Sequence, residues 1–268
     1  GQVGFVVYRS LIAALTLAIL VFLLAYHYHV QGRSDQWAIA LTNWSFAVLT
    51  AHMVVALVVC VVDFASKKVE DEKAEPTTLG TTTMGTMSEN TTTADAGTVE
   101  AITLTELGDE FNNVETIQDN GGMAWYHKVH WVLHNTSITV AFFVTTLYWT
   151  LDKGIVSVSS ILEHVVNSAI AVLDLLVSGT PVRILNVIYP VAYAAVYGVF
   201  YVIYWAAGGK GRDGAAAIYA VIDFGKDPGM ASVFLVVLVF VGTPLFHLLS
   251  YGLFRLRELV LTKIKRRS

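Results

Sequence analysis

The stretch QWAIALTNWSFAVLTAHMVV, residues 36–55, decides how the chain is read. It contains no Lys, Arg, Asp or Glu, and most of it is apolar. With the apolar residues that follow to Val62 it exceeds the roughly 20 residues needed to cross a hydrocarbon core of about 30 Å. Yet Thr42, Asn43 and Ser45 interrupt its first third. Polar groups in such a segment are costly to bury, which makes them candidates for function.

The same composition recurs along the chain. Of 268 residues, 55% are hydrophobic and 14% charged, with a mean hydropathy of +0.59. An ordinary soluble domain carries about 25% charged residues. Six apolar blocks stand out, at about Leu11–Tyr28, Trp37–Val62, His130–Leu151, Ile155–Val177, Ile184–Ala206 and Ala231–Leu253. Backbone in lipid must satisfy its own hydrogen bonds, and these blocks lack the alternation of a barrel strand, so helices are expected. The expected fold is all-α: a polytopic membrane protein of six transmembrane helices with both termini cytosolic. The single cysteine, Cys60, excludes an internal disulfide. No small-residue cleavage site follows the first block, so no cleavable signal is expected.

The orientation rests on cations near the span ends. Arg9 precedes the first block, Lys67 and Lys68 follow the second, and the tail RLRELVLTKIKRRS is strongly basic. An even number of spans puts all of these on the cytosolic face. The expected organisation is therefore spans one and two in residues 1–62, a cytosolic loop in 63–123, spans three to six in 124–254 and a basic tail in 255–268. The loop is rich in Thr, Glu and Gly and has too few large apolar residues to offset ordering entropy, so disorder is expected there. It is also where protein partners are expected to bind. Membrane lipids or fatty esters are the expected small partners, nucleic acid is not one, and the plasma membrane or endoplasmic reticulum is the expected location.

The candidate chemistry comes from polar residues inside spans. His164 lies about nine residues into span four, roughly 13 Å deep, and Thr42 about five into span two, roughly 8 Å deep. Both spans run inward from the outer face, so the two side chains share one half of the bilayer. A Thr hydroxyl beside a neutral imidazole can act as nucleophile and base. Asn167, one turn after His164, could orient the ring, and Asn43, Ser45 or Asn167 could hold an oxyanion. Tyr189, Tyr193, Tyr197, Tyr201 and Tyr204 line one face of span five, and Tyr193, Tyr197 and Tyr201 are read as one wall of a lipid pocket. His127, His130 and His134 share a face of span three. No cysteine or carboxylate stands near them in the sequence, so no metal site and no cofactor is expected.

Bland readings compete. A Thr in a span often bonds its own helix carbonyl, and buried His and Asn often hold helices together. On that reading the chain is a non-enzymatic scaffold for adhesion, fusion or assembly. A third reading has the histidines clamp a haem. It needs axial pairs at matched depth, whereas His52 reads as deep in span two and His134 as near the end of span three.

Several stretches carry a family resemblance. WAIALTNWSFAVLT resembles the LTNW signature of the rolling stone family of six-span membrane proteins, and VVYRSLIAA resembles its Tyr-Arg entry to span one. HVVNSAIAVLDLLVSGTPVRILNVIYPVAYAAVYGVFYVIYWAAGG resembles its run of His, Asn-Ser and Asp followed by Pro-x-Arg, Tyr-Pro and Gly-Gly. GAAAIYAVIDFGKDPG resembles its next loop, with Phe224 in place of a Trp. That family is associated with myoblast fusion. It is distantly similar to the androgen-induced intramembrane hydrolases, which cleave fatty acid esters of hydroxy fatty acids with a Thr and a His. Their Thr follows a Leu early in span two, as Thr42 follows Leu41. Their His precedes an acidic residue by ten positions, as His164 precedes Asp174. Their His is followed by Thr, where this chain has Val165. The resemblance implies a lipid ester hydrolase with Thr42 as nucleophile and His164 as base.

Overall fold

The computed structural model describes residues 2–29, 37–74, 123–151, 156–211 and 214–267. Among these residues the regular structure is entirely helical. α1 is Gln2–His29, α2 Leu41–Ala74, α3 Trp125–Leu151, α4 Val158–Val177, α5 Ile184–Ala206 and α6 Pro228–Lys265. Beyond Ala74, the segment expected to lack order lies outside the described residues.

All but α3 are long and apolar enough to cross a membrane. α3 has the length, 27 residues, but not the hydropathy, because its middle reads HNTSITVA. The packing explains the difference. α3 is the central helix, touching α2 most extensively and also α4, α5 and α6. Every residue from His134 to Ala141 is buried. A helix surrounded by protein can carry polar side chains, because neighbours rather than lipid face them. The outer helices show the reverse pattern. Leu11, Val21, Val58, Val199, Ile203 and Val233 are large, apolar and exposed. A soluble monomer does not carry apolar surface on this scale, and the chain is an integral membrane protein of several helical passes.

Several boundaries differ from the sequence reading. α1 begins at Gln2, so Arg9 is not a flanking cation but lies within the helix, buried in the bundle. α2 begins at Leu41, not Trp37, because the segment Trp37–Ala40 is held as a turn. There the Asn43 amide donates to the Trp37 carbonyl at 2.5 Å and the Trp44 indole to that of Ala38 at 2.7 Å. α2 then continues to Ala74, and α6 to Lys265, well past their expected span ends. α4 ends at Ser178 with Gly179 in the left-handed region, φ 67°, which favours glycine.

Candidate functional site

We call the end of the bundle where α1, α3 and α5 begin the lower end. Near it the Arg9 guanidinium pairs with Asp174 Oδ1. Both side chains are sealed, 3% and 0% exposed. The other carboxylate oxygen, Oδ2, lies 3.2 Å from His134 Nδ1 and 3.8 Å from His52 Nε2. His130 stacks on His52 with ring centroids 5.3 Å apart. The expectation that no carboxylate stands near these histidines is therefore corrected. Asp174 is remote in sequence but arrives on a different helix. The depth mismatch read between His52 and His134 is corrected too, since their rings lie 5.2 Å apart. Neither ring exposes any surface, so no slot for a flat haem opens between them. A cavity of about 910 Å³ opens beside this cluster, bordered by Arg9, Cys60, Asp63, His127, His130 and Arg183, among others.

α2 and α4 form the scaffold that connects the candidate residues. Asn167 Nδ2 donates to Ser45 Oγ at 3.0 Å, Leu49 and Met53 pack with Ile170, and His52 faces Asp174. The partners advance together, so the two helices run parallel. Ser45 and Asn167 stand 122 positions apart. His52 and Asp174 have the same separation, and so do Thr42 and His164. Thr42, Ser45, Leu49 and His52 recur at spacings of three and four, as do His164, Asn167, Ala171 and Asp174. That is the spacing of a seam between parallel helices, where equivalent positions meet in layers. In the sequence Thr42 and His164 continue this spacing, three positions before Ser45 and Asn167.

At this upper end the seam is perturbed. Ile161–Val166 is a π-helical turn, a feature frequent at functional sites. Each residue of such a turn rotates less about the axis than in an α-helix, which carries His164 off the seam toward α3. Its buried ring stacks on Tyr148, with centroids 3.8 Å apart and planes 13° from parallel. The Thr145 hydroxyl donates to the His164 carbonyl at 2.9 Å, and Ser168 donates to Thr145 at 2.8 Å, pinning the widened turn to α3. Glu163, also buried, contacts His27 of α1 at 3.4 Å. Thr42 is half-buried at the second residue of α2, and its hydroxyl bonds no described residue. It therefore sits at a helix start rather than five residues inside one. The Leu41 N–H donates to the Tyr219 hydroxyl at 2.9 Å, and the N–H groups of Asn43 and Trp44 turn back to Ala40.

The tyrosines of α5 hold the segment that roofs this end. Tyr197 donates to the Ile39 carbonyl at 2.7 Å and Tyr201 to that of Ile222 at 2.5 Å. Phe224 is buried against Tyr201 and Trp205. Tyr197 and Tyr201 thus lie in the packed core, while Tyr193 is half-buried with its edge on Trp44.

The polar layers of α4, the Pro-Val-Arg linker and the Tyr219 roof all lie within residues 111–265, which match the family model described as Protein rolling stone. The chain belongs to the rolling stone family. It is 28% identical over 138 residues to Protein rolling stone of Drosophila melanogaster, an alignment covering 49% of this chain and 50% of that protein. The chain thus spans about half the length of the curated relative it matches. No solved structure matches it. Thr42, His52 and Arg9 precede the residues matched by the family model.

Of the residues grouped from the sequence, Ser45 and Asn167 meet, while His164 stacks on Tyr148. Sequence reasoning did not find Tyr148, Thr145 or Tyr219, nor the pairing of Asp174 with Arg9 and His134. The recurrence at three and four in α2 and α4 was the available signal for the seam. Nothing local marks the rest.

Proposed function

We propose that this chain is an intramembrane hydrolase of fatty acid esters, with Thr42 as nucleophile and His164 as base. The observation that supports the reading is the parallel seam: the separation of 122 positions that joins Ser45 to Asn167 also separates Thr42 from His164 in the sequence. Thr42 also stands at the start of α2, where backbone N–H groups lack helical partners and the helix dipole favours negative charge. In the reaction the Thr42 oxygen attacks the ester carbonyl carbon. His164 takes the hydroxyl proton and returns it to the departing alkoxide, leaving an acyl-threonine. Water, activated by the same imidazole, then breaks the acyl bond and restores Thr42. In this reading the Thr42 N–H and the second N–H of the Asn43 amide receive the oxyanion. His164 must swing from Tyr148 toward the seam, and the π turn is the local slack that permits it.

In this reading all six helices cross the membrane, with both termini cytosolic, in the plasma membrane or the endoplasmic reticulum. Ester substrates enter sideways from lipid, and the 63–123 segment recruits protein partners. One observation favours the scaffold reading: the Thr42 hydroxyl does not bond His164 in this conformation. A single experiment separates the two. The purified protein is expected to react with a fluorophosphonate probe at Thr42 and to hydrolyse long-chain fatty esters, with Thr42→Ala and His164→Ala each at least about 100-fold slower. Wild-type rates in both variants, or no labelling of folded protein, overturn the hydrolase.

A further inference from the structure

We propose that His52, His134 and Asp174 form a binding site for one divalent transition-metal ion of the zinc class, separate from the Thr42 end of the seam. The unpartnered nitrogen supports the site. His52 Nε2 is fully buried without a hydrogen-bond partner and stands 3.8 Å from Asp174 Oδ2. The Ser137 hydroxyl lies 3.1 Å from His52 Nδ1 and 3.2 Å from the His134 carbonyl. With its proton on the carbonyl, the Ser137 oxygen accepts from His52 Nδ1 and leaves a lone pair on Nε2. In that tautomer a cation between Nε2 and the carboxylate oxygen satisfies both.

The spacing selects the cation. Zinc bonds of about 2.0–2.2 Å to nitrogen and oxygen give tetrahedral ligand separations of about 3.4 Å. The contacts to Asp174 Oδ2 are 3.2 Å from His134 Nδ1 and 3.8 Å from His52 Nε2, and the ligand atoms of the three residues lie within 4.8 Å of one another. An ion drawing the three ligand atoms together closes the shell, with the His134 Nδ1 proton released on binding. The surrounding contacts are those expected of a metal centre. Ser137 fixes the His52 ring, and Arg9 holds the second oxygen of Asp174. His130, whose Nε2 is also buried without a partner, stacks on His52 and borders the cavity, which gives an ion its nearest way in.

The test uses the full chain, purified in detergent without chelator and loaded with zinc. About one zinc per chain is expected to survive desalting, and His52→Ala and His134→Ala are each expected to lose it. Cobalt in place of zinc is expected to give the visible bands of a tetrahedral site. Because either variant could unfold, the wild-type protein is also melted with and without 1,10-phenanthroline. The chelator is expected to lower Tm, and added zinc to restore it. Zinc content below about a tenth per chain in folded wild-type protein, or equal zinc in folded variants, overturns the proposal. So does a Tm indifferent to both chelator and zinc. Fluorophosphonate labelling of Thr42 reports the other end of the seam, so either idea can fail alone.

Discussion

Replacing Asp174 with Leu tests how the bundle closes around its buried charge. The wild-type pair is fully desolvated, with Arg9 3% and Asp174 0% exposed. Removing one partner of a buried ion pair costs about 3–5 kcal/mol, because the other charge is left uncompensated. Two features place this case at the lower end of that range. The guanidinium keeps cation–π contacts to Phe5 and Tyr8, at 5.1 and 5.7 Å from the ring centroids. It also borders the cavity, so water can reach it. Asp174→Leu is therefore expected to cost about 3 kcal/mol, and Arg9→Met a similar amount for the stranded carboxylate. The double variant removes both charges and is expected to recover most of the loss, giving a coupling of about 3 kcal/mol. Reversible unfolding in mixed micelles, with chelator throughout, measures all four corners of the cycle. A single-variant cost under about 1 kcal/mol, or a double variant equal to the sum of the singles, would refute the claim that this pair closes α1 onto α4.

Two further outcomes follow from the packing. Tyr201→Phe removes the hydroxyl that bonds the Ile222 carbonyl at 2.5 Å in a site 1% exposed. It should cost about 1–3 kcal/mol and speed protease cutting between residues 214 and 227; unchanged cutting and melting contradict the roof. Gly242→Ala places a Cβ 3.1 Å from Phe143 Cε2. A loss of about 1 kcal/mol in micellar unfolding is expected, and a gain in stability there would show that α3 and α6 are less tightly packed than described.

How much of this could be read from the chain depends on whether the decisive contact is local. The apolar blocks mark helices because crossing lipid is a property of one segment alone. The rolling stone motifs were legible for the same reason, as short runs. Helix starts were less so. Trp37 looks like the edge of a span, yet Asn43, Trp44 and Tyr197 hold Trp37–Ala40 as a turn. Arg9 looks like a flanking cation because its partner stands 165 positions away. The block at His130–Leu151 reads as a span, but why its centre carries HNTS is legible only once its neighbours are known. Depth places Thr42 from a span edge at Trp37, whereas the helix starts at Leu41, and the π turn that rotates His164 onto Tyr148 leaves no mark in ILEHVV.

The register between α2 and α4 is what gives both ends of the seam their meaning. Apolar layers alone tolerate sliding, since Leu49 and Ala171 would pack nearly as well one turn out of step. Polar layers do not. A slip of one turn would carry Asp174 from His52 to the level of Leu49 or Ala56, and Asn167 away from Ser45. That would strand an amide and a hydroxyl, while Asp174 keeps Arg9 and His134. Each unsatisfied neutral group costs about 1–3 kcal/mol. The Ser45–Asn167 layer thus favours the in-step arrangement over either neighbour, as a single buried polar layer does in a coiled coil. Ser45 and Asn167 therefore fix the register of the two helices next to Thr42 and His164. On the proposed hydrolase reading, substitutions in the lower layers should lower activity before they unfold the bundle.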